Sequence, residues 1–146
     1  MCCICYNIKI NNAKSIVVPD KYNGRPVTKI GDNAFSNSKE LREISIPLSI
    51  KVIGDEAFKG CGELTRIELP QGLEDIGKNA FYECTALMSI TIPNSVTHIG
   101  EYAFYSCSAL TSISLSHTLT DIANNTFRWC TSLSSITLPK NLLTIG

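Results

Sequence analysis

One feature constrains this chain more than any other: its side chains repeat every 23 residues. Phe recurs at Phe35, Phe58, Phe81, Phe104 and Phe127. Ile recurs in phase at Ile30, Ile53, Ile76, Ile99, Ile122 and Ile145, and Gly follows each except at Ala123. Leu41, Leu64, Leu87, Leu110 and Leu133 form a third register, followed three residues later by Ile44, Ile67, Ile90, Ile113 and Ile136. Pro47, Pro70, Pro93 and Pro139 form a fourth, with Ser116 standing in the remaining copy. A fixed period of this length is the signature of a solenoid, in which each unit buries its apolar face only against its neighbours.

Each register has a local reading. Ile44 and Ile46 flank Ser45, the alternation of a short strand with its apolar pair inward. Pro47 ends that strand because it has no N–H for the ladder. A second extended stretch carries the inward pair Ile50 and Ile53, and Gly54 permits a sharp turn. Ala57, Phe58, Cys61 and Leu64 fit one face of a one-turn helix or 3₁₀ turn. The expected architecture is an α/β repeat solenoid in one domain over 1–146. Residues 1–30 form an N-terminal cap and irregular first coil, and 31–146 form five repeats, the last without a cap. Solenoids usually end in a polar cap. The apolar face around Leu138, Leu142 and Ile145 is therefore expected to drive end-to-end self-association.

Composition narrows the function classes. Lys plus Arg and Asp plus Glu both number 13, so the net charge is zero and no general field draws the chain to nucleic acid. No apolar run reaches the length of a membrane span, so direct membrane insertion is not expected. The first residues lack a basic stretch followed by a long apolar run, so no secretory signal is read there.

The pattern Leu-x-x-Ile-x-Ile-Pro-x-x-Val-x-x-Ile-Gly-x-x-Ala-Phe-x-x-Cys resembles the BspA-type leucine-rich repeat. It stands nearly complete at Leu87 to Ala109, LMSITIPNSVTHIGEYAFYSCSA. NGRPVTKIG at Asn23 to Gly31 resembles the first coil of that family. The resemblance implies a right-handed leucine-rich-repeat horseshoe with one short parallel strand per coil on its concave face. It also implies bacterial or protist surface proteins, often adhesins for host proteins.

Chemistry-bearing residues are few. Cys61, Cys84, Cys107 and Cys130 share one repeat position, where small buried apolar side chains are the favoured reading over disulfides between coils. Their spacing matches no zinc pattern, so no metal or other cofactor is expected. Cys2, Cys3 and Cys5 cluster outside the repeat and could form a disulfide, carry a lipid or be inert. His98 and His117 have no nucleophile in phase, and Asp55 with Glu56, or Glu74 with Asp75, read as solvated acids. No catalytic residue is assigned and an enzyme is not expected. Asn124-Asn125-Thr126 is one sequon, expected on an exposed turn.

Two surfaces are candidates for a protein or glycan partner. The strand's outward positions are Glu43, Ser45, Arg66, Glu68, Ser89, Thr91, Ser112, Ser114, Ser135 and Thr137. The turns after Phe carry Tyr82, Tyr102, Tyr105 and Trp129, of which Tyr82 and Tyr105 should stack; exposed aromatics are favoured interface anchors. Each surface also has a plain reading, a solvated hydroxyl-rich sheet and a ring layer sealing the shoulder. The leading expectation is a non-catalytic binding module at the cell surface or secreted. A cytoplasmic interaction scaffold is the alternative, favoured by the thiols and the missing signal. A structural spacer within a longer protein is the third.

Overall fold

The structure is a computed structural model that describes residues 3–4 and 13–146. The expectations for Cys2 and Cys5, and for the side chain of Cys3, lie outside the described residues. We number the coils by their Phe, from coil 1 (Phe35) to coil 5 (Phe127).

The second extended stretch builds the longest sheet. Strands β1 (Cys3–Ile4), β5 (Lys29–Ile30), β7 (Val52–Ile53), β8 (Asp75–Ile76) and β10 (His98–Ile99) pair in parallel in that order. The register matches Ile30 to Ile53, Ile53 to Ile76 and Ile76 to Ile99. The same stretch in coil 5, β12 (Asp121–Ile122), pairs instead with β13 (Thr144–Ile145).

The other strand face is less continuous than expected. Strand β2 (Ser15–Val17) pairs with β6 (Glu43–Ser45), and β9 (Ser89–Thr91) pairs with β11 (Ser112–Ser114). Coil 2 contributes only the bridge Arg66 to Ser89, and 135–137 of coil 5 form no strand. One strand per coil on this face is therefore corrected to strands in coils 1, 3 and 4.

The expected one-turn helix is also corrected. Among the described residues there is no helix of any kind. In coil 2 the N–H groups of Ala57, Lys59 and Cys61 donate locally, to the carbonyls of Gly54, Glu56 and Phe58. Those of Glu56, Phe58 and Gly60 donate instead to Lys78, Ala80 and Tyr82 of coil 3, at 2.8, 2.8 and 2.7 Å. A helix needs consecutive local bonds; here every second donor is spent on the next coil. Left-handed residues keep the turns from winding up: Glu56 (φ 56°) and Gly60 (φ 72°), repeated as Asn33 and Asn37, Asn79 and Glu83, Tyr102 and Ser106, Asn125 and Trp129. The same three cross-coil bonds run from Asn33, Phe35 and Asn37, from Asn79, Phe81 and Glu83, and from Tyr102, Phe104 and Ser106. This turn ladder is continuous through all five coils and is the spine of the stack.

The core lies between spine and strands. Phe58, Phe81 and Phe104 are fully buried, as are Ile50, Ile53, Leu64, Leu73 and Leu87. Successive Phe rings stack at 5.2, 5.3 and 5.2 Å between centroids, nearly parallel, and then at 5.8 Å from Phe104 to Phe127. Gly54 acts by close approach rather than by a special φ. A Cβ there would lie 2.8 Å from the Asp32 amide nitrogen, well inside contact. A feature the sequence reading missed is a hairpin, β3 (Lys21–Tyr22) with β4 (Arg25–Pro26). Asn23 (φ 49°) and Gly24 (φ 75°) form its turn, the pairing that two-residue hairpins favour.

Candidate functional site

Strand geometry sets the first candidate surface. Successive side chains alternate in direction, so burying Ile44, Ile67, Ile90 and Ile113 turns their neighbours outward. All ten outward candidates are exposed: Glu43, Ser45, Arg66, Glu68, Ser89, Thr91, Ser112, Ser114, Ser135 and Thr137. They form two columns, one from Glu43 to Ser135 and one from Ser45 to Thr137. Two shallow depressions indent this face. One, of ≈ 260 Å³, is lined by 15–17, 43–46 and 66–68; the other, of ≈ 370 Å³, by 66–69, Gln71 and 89–91. Arg66, Ile67 and Glu68 border both.

The turn face carries the aromatic set. Tyr82 and Tyr105 stack at 4.7 Å with rings 3° from parallel, and Tyr102 tilts against Tyr105 at 5.8 Å. Lys59 Nζ sits 5.5 Å over the Tyr82 ring, and Lys78 Nζ 6.0 Å over Tyr102. Tyr82 and Tyr105 thus face each other, with an ammonium over Tyr82 and a tilted ring against Tyr105. Trp129 is 57% exposed and occupies a left-handed position, φ 64°. A bulky residue there is strained, as is Tyr102 at φ 58°.

The charges on the turn face are largely self-satisfied. Lys59 pairs with Glu56 at 3.0 Å and Lys78 with Glu101 at 3.1 Å. Hydrogen bonds from Lys78 and from Asn124 hold the Glu101 carboxyl below its usual range. Loss of water around the stacked ring, then the Glu83 charge, raises the Tyr82 phenol. Exposed pairs of this kind contribute little to stability.

The four repeat cysteines are free and buried. Each thiol donates to a Phe carbonyl of the preceding coil: Cys61 to Phe35, Cys84 to Phe58, Cys107 to Phe81 and Cys130 to Phe104, at 3.1–3.2 Å. The position therefore does more than fill space. Burial pushes Cys61 up to about 12 and Cys84 well above the ordinary thiol value. Thiolate chemistry is disfavoured at Cys61 and Cys84.

Other sequence candidates are dispersed. His98 lies exposed in β10 beside Asp75. His117 lies exposed after β11, its N–H donating to Asn94 Oδ1 at 3.1 Å. The sequon is only partly on an open surface: Thr126 is buried and its hydroxyl donates to the Ala123 carbonyl at 2.7 Å. At the end of the stack, Ile122, Phe127, Ile136, Leu138 and Ile145 line a mostly apolar hollow of ≈ 420 Å³.

Comparison with known proteins agrees with this architecture. The pattern described as BspA type leucine rich repeat region matches six copies over residues 28–146. The crystal structure of a T. pallidum leucine-rich-repeat protein is similar at 34% identity and TM-score 0.85, over 92% of this chain and 70% of that one. A leucine-rich-repeat protein from Bacteroides ovatus is similar at 34% identity and TM-score 0.78, over 90% of this chain but 41% of its own. One from Eubacterium ventriosum gives 25% identity and TM-score 0.67, over 91% of this chain and 41% of its own. Comparison with curated protein sequences gives no match.

Proposed function

This chain belongs to the BspA-type leucine-rich-repeat family, and we propose that it is a non-catalytic module that binds a protein or glycan at the cell surface or after secretion. One observation carries the reading: ten outward side chains stand exposed in two columns on an indented face that the fold does not need for its own packing. Solenoids use such long, unobstructed surfaces for recognition. The hydroxyls of Ser89, Thr91, Ser112 and Ser114 donate and accept hydrogen bonds without a large entropic cost of ordering. The turn face is the second candidate, with Trp129 as its exposed ring.

The test is capture by the purified chain on arrays of extracellular proteins and of glycans. A binder should lose at least ~10-fold affinity when Ser89, Ser112 and Ser135 are replaced together by Lys. It should be indifferent to Tyr82→Ala with Tyr105→Ala. The opposite pattern moves the site to the turn face, and no capture on either array counts against the reading.

The second reading, a cytoplasmic scaffold, draws support from the free thiols of Cys61, Cys84, Cys107 and Cys130. A thiol count on the unfolded, native-source protein separates the two. Seven free thiols favour the scaffold, and loss of two or more at Cys2, Cys3 or Cys5 favours the surface module.

A further inference from the structure

The strand face is uniform neither in charge nor in its main chain. Coils 3 to 5 present Ser and Thr, whereas coils 1 and 2 present Glu43, Arg66 and Glu68. Among the described residues these three side chains enter no ion pair or hydrogen bond, although five ion pairs form elsewhere on the surface. Glu43 borders the ≈ 260 Å³ depression, while Arg66 and Glu68 border both. The main chain is open at the same place. No backbone hydrogen bond joins 43–46 to 65–69, whereas β2 with β6 and β9 with β11 are fully laddered. Between coils 1 and 2 the strand face is therefore held without main-chain pairing.

We propose that this window binds an extended polypeptide segment carrying an acidic and a basic side chain two residues apart, the acid on Arg66 and the base on Glu68. The proposal rests on the reading of the strand face as the partner surface. Arg66 and Glu68 point the same way because they are two residues apart, about 6.7 Å along a strand. An extended partner presents its own i and i+2 side chains on one face at the same spacing. An uncharged glycan would cover these three charges without answering them, which costs desolvation.

The experiment titrates the isotope-labelled whole chain with two end-blocked peptides of identical composition. In one, Glu and Lys are two residues apart within a Thr-rich background. In the other they are adjacent, which puts them on opposite faces of an extended chain. The spaced peptide should shift amide resonances of 43–46 and 65–69 and bind at least ~10-fold more tightly than the adjacent one. Arg66→Gln, an exposed substitution whose fold is checked by circular dichroism, should abolish the difference. Equal binding of both peptides, binding of neither, or a preference that survives Arg66→Gln overturns the proposal. If array capture through the hydroxyl columns persists alongside any of those outcomes, the binding-module reading stands and only this window falls.

Discussion

Ala123 is where the repeat breaks its own rule, and replacing it by Gly should tighten the stack. At the equivalent position the N–H groups of Gly54, Gly77, Gly100 and Gly146 donate to Ile30, Ile53, Ile76 and Ile122 of the coil before, at 2.8–2.9 Å. No such bond joins Ala123 to Ile99, and β12 does not pair with β10. The cause is steric. A Cβ on Gly100 would lie 2.5 Å from the Lys78 amide nitrogen, and one on Gly77 2.7 Å from that of Asp55. The methyl of Ala123 thus props coil 5 open, in keeping with the wider Phe104–Phe127 spacing of 5.8 Å. Fraying of the end does not account for it, since β12 and β13, further along the stack, are paired. Ala123→Gly should recover two or three main-chain bonds at about 0.5–1.5 kcal/mol each. Greater freedom of glycine in the unfolded chain takes back about 0.5–1 kcal/mol. The expected net gain is roughly 0–4 kcal/mol, centred near 2, which at the centre is a rise in Tm of about 4–8 °C for a chain of this size. Urea unfolding with amide exchange at residue 123 reads both terms. A loss of stability with no new protection at that amide would refute the steric argument.

Other outcomes follow from the same contacts. Phe81→Ala, which removes a ring stacked at 5.3 and 5.2 Å on its two sides, should cost about 3–5 kcal/mol in urea unfolding. Because Cys61 is raised in the folded state, its contribution is complete below the unfolded thiol value. It should be lost as pH rises from about 9 toward 12, and Cys61→Val should flatten that limb of the pH–stability curve. Trp129→Gly should raise stability by about 0–1.5 kcal/mol, the relief of the left-handed backbone less the added freedom of glycine in the unfolded chain, while weakening any partner held on the turn face. Ile145→Lys, at an exposed residue lining the apolar hollow with Ile122, Ile136 and Leu138, should lower any self-association through that hollow seen by light scattering; a wild-type chain monomeric at high concentration would rule that association out.

Much of this was legible in the sequence because the inward registers are strict. Ile44, Ile53, Phe58, Cys61 and Leu64 announce their burial by period alone, and the outward candidates follow from alternation. The turn between Gly54 and Leu64 was misread because its apolar spacing matches a helical face. What defeats a helix there is a hydrogen-bond choice, every second N–H going to the next coil. Asn33, Asn37 and Asn79 hinted at left-handed backbone, but Glu56, Tyr102 and Trp129 at equivalent positions carry no such signal. Asn23-Gly24 was a readable hairpin signal obscured by its likeness to a repeat coil. The gap between coils 1 and 2 depends on how neighbouring coils settle, which no residue in either coil announces.

The turn ladder holds the stack together and leaves the strand face open to a partner. Residue-resolved amide hydrogen exchange on the free chain tests it most directly. Exchange should be slowest at Phe35, Phe58, Phe81 and Phe104 and at Glu56 and Gly60, and fast at 67–68 and 136–138. Strongest protection along the strand face, with rapid exchange in the turns, would contradict it.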